Sequence, residues 1–128
     1  GRFLSGDFAS VERDIAEVVR IAHERSALVK VIFEVCYHTD AQIADACRLS
    51  EQAGADFVKT STGFAEGAAT PEAVQIMLDT VGSRLGVKAA GGIRTFEAAV
   101  GYLEQGCTRL GIGSTETVLS GAEAEGSY

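Results

Sequence analysis

The 128-residue chain has no tryptophan, one proline, three cysteines, two histidines and no apolar run approaching 18 residues. Without such a run no segment qualifies as a membrane-spanning helix, and no signal-peptide pattern is present. Cys36, Cys47 and Cys107 are odd in number and lack metal-ligand spacing. The chain therefore reads as cytoplasmic, with reduced thiols and no metal. Basic residues are also scarce. Eleven Lys and Arg face eighteen Asp and Glu, a net charge of -7, which argues against nucleic acid or an anionic membrane as partner. A phosphorylated small molecule is still compatible, because backbone amides can hold an anion without net positive charge.

What is present is an ordinary globular balance, 46% hydrophobic and 23% charged, with fifteen glycines for many short turns. After the loop Gly1–Gly6, Asp7 is placed to cap a helix whose inner face carries Val11, Ile15, Val18, Val19 and Ala22. His23 falls near its end, where it suits the helix dipole. Leu28 to Cys36 is a β-branched apolar run, the pattern of a strand buried on both faces. Lys30 and Glu34 interrupt it on one strand face and are expected to form an ion pair. Cys36 then stands at the strand's C-terminal end, and His38 in the next loop is expected to be structural or solvent-facing. Thr39-Asp40-Ala41-Gln42 forms a capping box for a helix that buries Ile43, Ala46, Cys47 and Ser50. A strand at Phe57-Val58 and a loop from Gly63 to Ala69 follow. Thr70-Pro71 then opens a helix with Val74, Met77, Leu78 and Val81 inward. A strand from Gly86 precedes a helix capped by Thr95 and ended by Gly106, with Phe96, Ala99, Val100 and Leu103 inward. Arg109–Ser114 is the last strand and its exit, and Thr115–Leu119 a short helix. Residues 1–120 are expected to form the folded domain and 121–128 a mobile tail.

Strands alternating with helices imply a parallel sheet with right-handed crossovers. Gly111-Ile112-Gly113 lacks the third glycine of a dinucleotide fingerprint, and no acid follows at the required distance. Half of a (β/α)8 barrel, with its site at the C-terminal strand ends, fits better.

Two segments carry the chemistry. Phe57-Val58-Lys59-Thr60-Ser61-Thr62-Gly63 places a lysine inside an apolar strand, a costly position for an unpaired ammonium. By itself Lys59 could be a strand-end lysine reaching water, or a nucleophile that forms a Schiff base. Gly86-Val87-Lys88-Ala89-Ala90-Gly91-Gly92 repeats the Val-Lys pattern. On neighbouring strands about 4.8 Å apart, both lysines would point into one pocket, where burial and a second positive charge each favour a neutral amine. Glycine-bearing exits at Thr62-Gly63, Gly91-Gly92 and Gly111-Ile112-Gly113-Ser114 suggest an anion site of backbone amides.

The segments 58–64, 87–95 and 31–36 resemble the deoxyribose-phosphate aldolase family, and the similarity runs from Gly1 to Tyr128. The resemblance implies a (β/α)8 barrel that needs no metal or other cofactor and cleaves 2-deoxyribose 5-phosphate to glyceraldehyde 3-phosphate and acetaldehyde. It makes Lys59 the Schiff-base residue and Lys88 the neighbour that assists it. Thr62, Gly63, Gly91, Gly92, Gly111 and Ser114 would hold the phosphate, and Tyr128 would help proton transfer at the donor carbon. Gly113 stands where the family often has serine. The match covers the second half of such a barrel, and the family's assisting aspartate has no counterpart here. The other expectation is a non-catalytic half-barrel scaffold, with or without phosphate binding. In either case two open sheet edges favour a homodimer, with a closed eight-stranded pseudo-barrel preferred.

Overall fold

Helix α1 (Phe8–His23) begins where the Asp7 carboxylate accepts the Ser10 N–H. Its Val19 is buried, Val11 and Ile15 are half-buried, and Val18, expected inward, is 57% exposed. The computed structural model describes residues 1–125. Each later helix starts as its capping residues dictate. Thr39 and Gln42 close a capping box on α2 (Asp40–Gln52). The Thr70 hydroxyl accepts the Ala73 N–H at the start of α3 (Pro71–Val81). Thr95 does the same with Ala98 for α4 (Phe96–Gln105), and Gly106 ends that helix at φ 122°. A fifth, short helix, α5, spans Thr115–Leu119.

Four strands, β1 (Lys30–Ile32), β2 (Phe57–Lys59), β3 (Gly86–Ala90) and β4 (Arg109–Gly111), form one parallel sheet in the order β1-β2-β3-β4. Sequential parallel strands joined by crossovers of one hand place the helices on one face of the sheet. Val58, Val87 and Ala89 are buried on that face with Val74, Met77 and Val81 of α3. Each fully buried valine of this kind is worth about 1.5–3 kcal/mol. Alternation along the strands sends the other set, Lys30, Phe57, Lys59 and Lys88, to the concave face.

The outer helices are less covered than their patterns suggest. Val18 of α1, and Phe96 and Leu103 of α4, are 45–57% exposed; α1 packs chiefly on α2, and α4 on β4 and α3. No helix among the described residues is long and apolar enough to cross a membrane.

The first strand departs from expectation. β1 is three residues long, not nine. Phe33 and Val35 still donate to the Lys59 and Thr60 carbonyls, but Glu34 turns into the left-handed region at φ 59°, and Val35–Tyr37 coil into a 3-10 turn. Cys36 therefore lies in that turn, exposed. Side-chain bonding to β2's exit, described below, overrides the β-branched composition here.

Candidate active site

The ladder aligns Ile32, Lys59, Lys88 and Arg109 across the four strands. Lys59 and Lys88 are thus direct neighbours and share the concave face, as the repeated Val-Lys pattern anticipates. Lys59 is 9% exposed, with the fully buried Thr60 and Ser61 after it. It is not a strand-end lysine extended into water. Lys88 is half-buried.

Thr60 is a residue that sequence reasoning passed over. Its hydroxyl donates to the Ala90 carbonyl at 3.1 Å and accepts the Ala90 N–H at 3.0 Å. Its own N–H bonds the Lys88 carbonyl. One side chain thereby extends the β2–β3 pairing beyond the ladder and holds both lysine-bearing strands in step. A hydroxyl at a strand exit is a weak local signal, and its role is visible only with β3 alongside.

Beneath the lysine pair lies Phe57. The Lys30 ammonium sits 4.1 Å and the Arg109 guanidinium 4.6 Å from the ring centroid. Such cation–π contacts suit a ring whose register partner is glycine. A Cβ on Gly86 would stand 2.2 Å from the Phe57 ring. Burial first, then the positive charges of Arg109, Lys88 and Lys59, push the Lys30 ammonium below the usual lysine range.

The expected Lys30–Glu34 ion pair does not form. Glu34 leaves the strand face and instead accepts the Thr62 N–H, at 3.1 and 3.3 Å from its two oxygens, and the Thr62 hydroxyl. His38 is structural, as expected: its Nε2 is 3.0 Å from the Phe33 carbonyl and its ring meets Phe3 edge-on. His23 bonds Asp56 at 2.9 Å.

The remaining candidates gather at the carboxyl ends of β2, β3 and β4. Thr62 and Gly63 follow β2; Gly91 and Gly92 leave β3 at φ 84° and 73°; Gly111 closes β4; and Ser114 precedes α5. Ala68 packs on the Gly91-Gly92 exit, where a Cβ on Gly92 would come within 2.8 Å of the Ala68 Cβ. The Ala69 N–H bonds the Gly91 carbonyl, and the Tyr102 hydroxyl donates to Ala69. The loop after β2 thus closes onto the exit of β3. Tyr128 lies outside the described residues.

Four sequential parallel strands backed by helices, with side chains of interest at their carboxyl ends, define a class: half of a (β/α)8 barrel. The chain belongs to the DeoC/LacD family aldolases, whose sequence pattern matches residues 3–110. It is 52% identical over 122 residues to deoxyribose-phosphate aldolase of Thermococcus gammatolerans, covering 95% of this chain and 54% of that protein. Among solved structures, the aldolase QR15 superposes with a TM-score of 0.86 at 37% identity, over 93% of this chain and 53% of that one. The tetrameric deoxyribose phosphate aldolase of Aeropyrum pernix gives 0.82 at 34% identity, over 88% and 49%. The chain spans about half the length of the curated relatives it matches.

Proposed function

We propose that the chain carries the Schiff-base half of an aldolase site, acting on 2-deoxy-D-ribose 5-phosphate. The observation that carries this reading is the register pairing of buried Lys59 with Lys88 on one face of the sheet. The Lys59 amine adds to the C1 aldehyde and water leaves, giving an iminium. Loss of the C3 hydroxyl proton breaks the C2–C3 bond, and its electron pair passes into the iminium to form an enamine. Glyceraldehyde 3-phosphate departs. Protonation of the enamine at C2 and hydrolysis release acetaldehyde and restore Lys59. Lys88 places a second positive charge beside the attacking amine, and Tyr128 is assigned the proton transfer at C2. The exits at Thr62, Gly63, Gly91, Gly92, Gly111 and Ser114 receive the phosphate.

The reading extends to assembly and place. β1 and β4 each have one neighbour in the sheet, and a homodimer that closes a pseudo-barrel would cover these edges. Free thiols suit the cytosol.

A retro-aldol assay coupled to glyceraldehyde 3-phosphate detection tests the function, with Lys59→Leu as control. Product above the control is expected. None above it contradicts the aldolase reading and leaves a non-catalytic scaffold. Light scattering across micromolar concentrations tests the dimer, and a monomer throughout contradicts it.

A further inference from the structure

Glu34 is a non-glycine residue held at φ 59°, ψ 64°. An L residue with a Cβ occupies this region at a cost and stays there only when its surroundings over-determine it. Here the surroundings are Thr62, 28 residues away. The Glu34 carboxylate takes both the N–H and the hydroxyl of Thr62. The Thr62 hydroxyl in turn accepts the Phe64 N–H at 3.2 Å, which closes the turn over Gly63 at φ 95°. The chain of bonds Glu34–Thr62–Phe64 thus pins the turn through which β2 leaves the Lys59 strand. None of these partners was legible as a pair from spacing along the sequence.

We infer that Glu34 is a positioning residue for anion binding at the β2 exit, acting through Thr62. The inference rests on the phosphate reading of the strand exits given above and sharpens it. Both Thr62 donors are occupied by the carboxylate and the Phe64 N–H by the Thr62 hydroxyl, so Thr62 serves the site by holding its turn and leaves donation to the ligand to the Gly63 amide. A carboxylate bonded to the turn that lines this exit would by charge alone weaken phosphate binding there. Removing it should therefore strengthen binding if charge dominates, and weaken binding if positioning dominates. The sign of the effect decides.

The test is binding of inorganic phosphate to the full chain, measured by titration calorimetry, for the unsubstituted protein, Glu34→Gly and Glu34→Gln. Glycine deletes the carboxylate yet accepts φ 59° without strain, so Glu34→Gly can keep the fold where alanine would strain it; its circular dichroism should match that of the unsubstituted chain. Glutamine removes the charge but keeps an oxygen for the Thr62 N–H and an NH2 that can donate to the Thr62 hydroxyl. Phosphate affinity should fall by about tenfold or more in Glu34→Gly, the effect expected from losing hydrogen bonds to a charged group, and be largely restored in Glu34→Gln. Equal or tighter binding in Glu34→Gly overturns the inference, and so does failure of the unsubstituted chain to bind phosphate. Phosphate binding that depends on Glu34, in a chain whose Lys59 is never labelled by an aldehyde under borohydride, contradicts the aldolase reading alone.

Discussion

Lys59 and Lys88 are Cα partners on adjacent parallel strands, and Thr60, the next residue after Lys59, ties those strands together through both polar groups of the Ala90 backbone. The paired lysines are thus set by a backbone ladder and a buried hydroxyl, not by a flexible loop. A site built this way tolerates little slippage, because moving one strand by a single residue would turn its lysine to the helical face.

Thr60→Val should therefore be costly although it preserves shape. It leaves the Ala90 N–H and carbonyl without the hydroxyl partner in a fully buried place, a loss of about 1–3 kcal/mol. Thr60→Ser should recover most of it. Urea unfolding midpoints give the answer, and a Thr60→Val chain as stable as the original contradicts the role assigned to this hydroxyl.

The thiols should divide into two groups. Burial pushes the Cys47 thiol up to about 12 and raises that of Cys107, while Cys36 is exposed. At mildly alkaline pH, Ellman's reagent should titrate one thiol quickly in the folded chain and all three after denaturation. Two or three fast thiols in the folded protein would contradict the packing of α2 or of the α4–β4 turn.

Asp56 should give the fold part of its pH dependence. Burial opposes its ionisation, but the His23 ring and the Val29 N–H, at 2.9 and 2.7 Å, outweigh it and hold the carboxyl below the usual range. A carboxyl lowered on folding stabilises the native state above its unfolded value, near 3.8, and that stability is lost as pH falls through the lowered value. The original chain should melt above Asp56→Asn at neutral pH, and the gap should close in acid. A gap that does not change with pH contradicts this linkage.

Much of this arrangement was legible in the sequence, for local reasons. Asp7, Thr39 with Gln42, Thr70-Pro71, Thr95 and Gly106 mark helix ends through bonds within four residues, and all of them act as read. The Lys59–Lys88 pairing was legible because the same Val-Lys pattern occurs twice at matching strand positions. What escaped depends on partners distant in the chain. The early end of β1 follows from Glu34 reaching Thr62, 28 residues on, while the composition around it still favours a strand. Gly86 reads only as the start of a strand, yet its necessity comes from the Phe57 ring laid across it. Val18 and Leu103 fit inner helical faces, yet they are exposed.

The central claim, that Lys59 is the nucleophile, is tested most directly by borohydride reduction in the presence of acetaldehyde followed by peptide mass spectrometry. The chain has only three lysines, Lys30, Lys59 and Lys88, all on the concave face of the sheet, so the assignment is unambiguous. The account predicts an N-ethyl group on Lys59 well in excess of the other two, and its loss in Lys59→Leu. Modification of Lys88 with Lys59 untouched, or equal labelling of all three, would contradict it.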